Sequence, residues 1–264
     1  MTEPFVRYET DGPLAILTLT APPANCYSLG LMKSLDEAIL QARFDDDVEV
    51  IIVTGAGSRF FCAGADIAML SSVTPRFKYY FCLHANETLS RLEHTPKLVI
   101  AAINGHCVGG GLEVAMACDL RVARAGAGTW GLPEVKLGVL PGTGGTQRLA
   151  RLVGHQKALR WMVEGRTGSL AGAEAEGVVD RVIDCAPDAF LDAVKDYARA
   201  YATPRTASLA VGHIKRAVQT GAGLPLEQGL ALERELQAKL FASDDATEGL
   251  NAYVEKRKAR FSGA

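Results

Sequence analysis

The chain has no apolar run long enough to cross a bilayer: the longest, such as Leu98–Ile103, are strand-sized, where a spanning helix needs about 20 residues. It also has no basic cluster. Its 28 Lys and Arg stand against 30 Asp and Glu, for a net charge of −2, whereas a nucleic-acid surface needs cations gathered on one face. The six cysteines, at 26, 62, 82, 107, 118 and 185, form no CxxC pair, so neither a disulfide framework nor a zinc site of that kind is expected. Each reads instead as a small buried apolar side chain under reducing conditions. A GK[ST] phosphate loop and a GxSxG nucleophile elbow are both missing. The start, MTEPFVRYETDGP, carries neither a basic nor an apolar stretch, and no secretory leader is read there. By elimination the expected compartment is the cytoplasm, with no membrane and no nucleic acid as partner.

What is present suits a packed core: 48% hydrophobic and 22% charged residues over 264 positions. Leu14–Leu19 reads as a strand apolar on both faces. Ser28 is placed to cap a helix reaching about Phe44, with Leu31, Leu35, Ile39 and Ala42 on one side. The β-branched run at 50–53 leaves into a turn at Thr54-Gly55, and 76–94 is helix-compatible up to Pro96. Leu98–Ile103 is a second buried strand, Gly109-Gly-Gly111 opens a helix, and strands follow at 120–123 and 178–183. Helical stretches near 189–202, 206–220, 225–241 and 244–258 close the chain. The expectation is an α/β core over 1–190 and a helical region over 191–264, with a strand–turn–helix rhythm but no exact repeat.

Glycine-rich turns raise the question of phosphate binding. In Thr54-Gly-Ala-Gly-Ser-Arg-Phe60, Phe60 stands where the third glycine of GxGxxG belongs, and Gly142-Thr-Gly-Gly-Thr146 has no strand signal before it. A different use fits better. Glycines after strands let backbone N–H groups face a cleft with no Cβ in the way, and two from separate turns can hold a carbonyl oxygen that gains charge. Phe61-Cys-Ala-Gly-Ala-Asp66 and Val108-Gly-Gly-Gly111 are the sources.

These segments form an ordered set: Phe61-Cys-Ala-Gly-Ala-Asp-Ile67, Ala102-Ile-Asn-Gly-His-Cys-Val-Gly-Gly-Gly-Leu-Glu113 with Cys118-Asp119, Gly131-Leu-Pro-Glu-Val-Lys-Leu-Gly138, and Pro141-Gly-Thr-Gly-Gly-Thr-Gln147. The set closely resembles the enoyl-CoA hydratase/isomerase (crotonase) family. The likeness runs from the first strand to Gly249-Leu-Asn-Ala-Tyr-Val-Glu-Lys-Arg257.

The resemblance implies a spiral of ββα units followed by a C-terminal helical trimerisation region, giving a homotrimer or a hexamer built from two trimers. It implies an acyl-CoA thioester substrate, no metal and no redox cofactor, in the setting of fatty-acid β-oxidation. Carried over by position, the oxyanion hole is the backbone N–H of Ala63 and Gly110. Backbone at Ala65, Asp66 and Ile67 lies by the adenine, and Gly142 lines the same cleft. Tyr253 and Lys256 match an aromatic and a base that cover the acyl pocket and meet CoA phosphate. His106 is read as a satisfied structural histidine.

Hydratases of the family carry two glutamates, at the positions of Glu113 and Glu134. Isomerases, dehalogenases and decarboxylases usually keep one or neither. Adding water to an enoyl thioester needs a positioned, partly deprotonated water at C3 and a proton for C2. Glu113 falls in the first turn of a glycine-opened helix, whose dipole favours the ionised form. Glu134, between Pro133 and Val135 and near Trp130 and Leu132, is expected to hold its proton through desolvation. Glu113 is therefore the expected activator of water and Glu134 the proton donor. An enoyl-CoA isomerase, a methylglutaconyl-CoA hydratase, a CoA-ester hydrolase or a retro-aldol lyase on the same scaffold are the alternatives. Met69, Leu70, Phe77, Phe81, Trp130 and Leu137 are the expected apolar walls of a pocket for short or medium acyl chains.

Overall fold

The computed structural model describes residues 4–264; the first three residues of the stretch read for a leader lie outside the described residues. The chain opens with an antiparallel hairpin, β1 (Val6–Asp11) and β2 (Leu14–Leu19), turning at Gly12 with φ +57°. Helix α1 (Leu29–Phe44) begins where the sequence places it, with Ser28 Oγ accepting from Leu31 N–H. Then come β3 (Val50–Gly55), β4 (Phe60–Cys62), α2 (Ile67–Ser72), α3 (Pro75–Glu93), β5 (Leu98–Ile103), β6 (His106–Val108) and α4 (Gly110–Met116). They are followed by β7 (Leu120–Arg124), β8 (Thr129–Gly131), α5 (Gly145–Val153), α6 (His155–Val163), β9 (Thr167–Ser169) and β10 (Arg181–Ile183). Four helices complete the chain: α7 (Phe190–Ala198), α8 (Ser208–Gly221), α9 (Leu226–Phe241) and α10 (Asp244–Val254).

Two sheets result, ordered β1-β2-β3-β5-β7-β10 and β4-β6-β8-β9. From β2 onward the large sheet is parallel, and β4, β6 and β8 are parallel in the small one. Each repeat thus gives one long strand to the first sheet and one short strand to the second, then returns through helix. Successive repeats stack by pairing, which makes the chain the spiral of the crotonase fold.

Both faces of the large sheet are covered, which is why its strands read as unbroken apolar runs rather than alternating ones. Leu17, Leu19, Ile51, Val53, Val99 and Ala101 pack with α1, α3 and α4 on one side. Leu14, Ile16, Val50, Ile52, Ile100 and Val122 pack with Phe190, Val194 and Ala198 of α7 on the other. At the strand end, Asn104 donates to Gly55 O and Gly57 O and accepts from Gly55 N–H. A Cβ on Gly55 would lie 2.3 Å from Phe60 O, so that glycine-rich turn serves close packing of backbone on backbone.

Some boundaries differ from those read in the sequence. The strand expected over 178–183 is only Arg181–Ile183, because Val178 and Val179 are buried within the preceding turn. The last helix stops at Val254, and Lys256 takes a left-handed φ of 56°. Helix α8 is fastened to the core by Lys215, whose Nζ lies 2.7 Å from Asp119 Oδ2 and donates to Lys97 O at 2.9 Å.

Candidate active site

A cavity of about 490 Å³ opens where the two sheets hand over to α2, α4 and the segment before α5. Ala63, Ala65, Ile67, Gly110, Glu113, Glu134 and Gly142 all line it. The Ala63–Ala65 turn, the Gly109–Gly111 turn and Glu134 come together because they follow β4, β6 and β8, which lie side by side in the small sheet.

Glu113 sits in the first turn of α4 and is only 1% exposed. Its Oε1 accepts from the N–H of Thr143 at 2.8 Å and of Gly145 at 2.7 Å, and its Oε2 accepts from the Thr143 hydroxyl. Gly145 is the first residue of α5, and Gly144 before it holds φ +111°. The helix end that meets the carboxylate is therefore the N-terminus of α5 as well as its own, and the geometry stabilises negative charge there. Thr143, fully buried, is a site residue the sequence reading missed; the signal was its place in the Gly142–Thr146 turn.

Glu134, also in the cavity lining, begins a short 3-10 turn, Glu134–Leu137. A Cβ on Gly109 would come within 2.9 Å of its Oε1, and glycine with φ +56° there leaves the carboxyl its place. Its Oε2 is buried with no hydrogen-bond partner among the described residues. Burial pushes the Glu134 carboxyl up to about 7; the Glu113 charge adds to this, while a backbone N–H and Lys78 pull the other way. Lys78, also in the cavity wall, was not singled out in the sequence.

The oxyanion donors need one correction. The N–H of Ala63 donates to Ala24 O at 3.0 Å and is not free to receive a substrate. The candidate in its place is the N–H of Ala65. Tyr27 pairs across it as in a parallel sheet, donating to Gly64 O at 3.0 Å and accepting from Asp66 N–H at 3.2 Å. Such pairing uses the groups on either side and turns Ala65's own N–H away from the strand. Among the described residues, neither Ala65 N–H nor Gly110 N–H has a backbone acceptor. The two backbones adjoin, since a Cβ on Gly64 would lie 3.2 Å from Gly110 N.

Of the other expected residues, Asp66 caps α2, accepting from Ala68 and Met69 N–H. A Cβ on Gly142 would stand 3.1 Å from Cys82 Sγ. Tyr253 and Lys256 do not line the cavity, and Tyr253 is 86% exposed at the end of α10. His106 is tied to Thr129 through Nδ1 and lies outside the cavity. Leu70 and Leu137 line the wall, joined by Val73, Val139 and Leu140, whereas Phe81 and Trp130 are buried in the hydrophobic core.

Comparison with known proteins gives this geometry a family. The profile described as Enoyl-CoA hydratase/isomerase matches residues 9–264. The short-chain-enoyl-CoA hydratase of Clostridium acetobutylicum is 36% identical over 254 residues, covering 96% of this chain and 95% of the relative. The crotonyl-CoA hydratase of Syntrophomonas wolfei is 35% identical, covering 96% of each. Among solved structures, an enoyl-CoA hydratase from Bacillus anthracis superposes with a TM-score of 0.91 at 31% identity, over 98% of this chain and 100% of the other. A Geobacillus kaustophilus structure, "Enoyl-CoA hydrates", reaches 0.95 at 43% identity, over 100% and 98%. The chain therefore belongs to the enoyl-CoA hydratase/isomerase (crotonase) family and is an enzyme with hydro-lyase activity.

Proposed function

We propose that this enzyme adds water reversibly to a 2-enoyl-CoA, giving a 3-hydroxyacyl-CoA. One observation carries the reading: two carboxyls of opposite surroundings, Glu113 and Glu134, line one cavity beside two uncommitted N–H groups. The thioester oxygen accepts from Ala65 and Gly110 N–H, which stabilise the enolate charge as it forms. Glu113, held as an acceptor by three donors, takes a proton from the water that attacks C3. Glu134, pushed up to about 7, keeps its proton in a large share of molecules at neutral pH and delivers it to C2. One proton leaves the water and one enters the substrate, so the addition balances without a redox partner.

The wall formed by Leu70, Val73, Leu137, Val139 and Leu140 supports an apolar acyl group of short or medium length. Ile214, Val218, Leu226 and Phe241 leave apolar surface uncovered on α8 and α9, which supports assembly as a trimer or a dimer of trimers. The test is incubation with crotonyl-CoA, following loss of the conjugated thioester absorbance and identifying the product. A 3-hydroxyacyl-CoA is expected. A shifted alkene, free CoA or an aldehyde as the main product overturns the reading.

A further inference from the structure

Tyr27, in the loop between β2 and α1, lines the cavity and reaches the Ala65 turn, Gly110 and Thr143. Its backbone flanks Ala65 through Gly64 O and Asp66 N–H. Its ring lies against Gly110, where an added Cβ would fall 1.7 Å from the ring. Its hydroxyl is 3.1 Å from Thr143 Oγ1. Thr143 has one hydroxyl proton, and that proton goes to Glu113 Oε2. Tyr27 must then be the donor in its pair with Thr143. The chain runs Tyr27 O–H to Thr143 O–H to the Glu113 carboxylate, each bond polarising the next.

The ring is 2% exposed and packs on Phe81 with centroids 5.7 Å apart. Burial, and after it the Glu113 charge, hold the phenol well above its ordinary pKa, so it remains a donor throughout the working range.

We infer that Tyr27 is a positioning residue that fixes the Ala65 and Gly110 donors and the Glu113 carboxylate in one rigid frame. The distance between the thioester oxygen and the attacking water is then set by a single side chain. The inference rests on the hydratase reading, and the experiment separates the two.

Tyr27→Phe, Thr143→Val and the double variant are compared in steady-state hydration of crotonyl-CoA, with thermal unfolding as a check on the fold. Tyr27→Phe is expected to lower kcat about tenfold, or about 1.4 kcal/mol, with KM within about twofold. In the Thr143→Val background the same change should have little further effect, because the hydroxyl acts through Thr143. Equal losses in both backgrounds, or an unchanged kcat, overturn the inference. Should the parent enzyme not hydrate crotonyl-CoA, the hydratase reading falls, and Tyr27 is tested by the carbonyl stretching frequency of bound butyryl-CoA. Tyr27→Leu, which removes the ring beneath Gly110, is expected to move that frequency back toward its value in water. No change in frequency overturns the positioning role.

Discussion

The floor and the rim of the cavity each supply one carboxyl, and they treat it in opposite ways. On the floor, Glu113 is fully enclosed, with donors from Thr143 on both oxygens and from the first N–H of α5 on one. On the rim, Glu134 sits in a 3-10 turn whose neighbours Val135, Leu137, Val139 and Leu140 are exposed, and its buried Oε2 meets no donor. An acceptor for a proton is made by surrounding a carboxylate with N–H and O–H groups. A donor is made by taking water away and leaving too few hydrogen-bond donors to offset the loss. In the proposed hydration the same residue type is given both tasks, because the backbone around it differs.

The strongest way to break this contrast is on the floor. Glu113→Gln presents an amide NH2 to a cradle of donors, so it removes the base and disturbs Thr143 and Gly145 together. A fall in kcat of about 10³- to 10⁴-fold is expected, with a lower Tm; a variant retaining a tenth of parental turnover would show that Glu113 is not the base. On the rim, Glu134→Gln removes the acid without breaking a hydrogen-bonded cradle. Its turnover should drop by about 10²- to 10³-fold while the fold holds.

The pH dependence sharpens the comparison further. Hydration should slow as pH rises through about 7, where Glu134 loses its proton. The stability sign follows from the same shift. A carboxyl raised above its ordinary value of about 4.3 contributes stability at low pH that is lost as pH rises through its folded pKa. Unfolding scans between pH 5 and pH 8.5 should therefore show Glu134→Gln gaining on the parent toward the alkaline end. A constant difference across that range would contradict the desolvated carboxyl.

The smallest expected effect belongs to Lys78→Met. Lys78 pulls the Glu134 carboxyl downward, so its loss should carry the alkaline limb of the rate profile to higher pH. A limb displaced to lower pH would mean that the lysine does not act on Glu134.

Much of the frame was legible before any coordinates. Leu14–Leu19 and Leu98–Ile103 announced buried strands, and Ser28 announced the start of α1, since these signals are local and several residues long. The small sheet was not legible. Its strands β4, β6, β8 and β9 have three residues each, too few to establish a period, and they exist by pairing with one another. The pocket walls were half legible. An apolar side chain on α3 reads the same whether it faces the core, as Phe81 does, or a cavity.

The sequence by itself determined the family and the order of the glycine turns and singled out Glu113 and Glu134 as candidates, because residue type and spacing carry those directly. Only the tertiary structure decided which N–H groups are free and which donors each glutamate meets. Ala63 and Ala65 are two residues apart and chemically identical, yet Ala24 takes the N–H of one and pairing with Tyr27 turns the other outward. The donors to Glu113 come from Thr143 and Gly145, some thirty residues farther along the chain. A hydrogen bond between such distant positions is set by how the spiral closes, which no local pattern records.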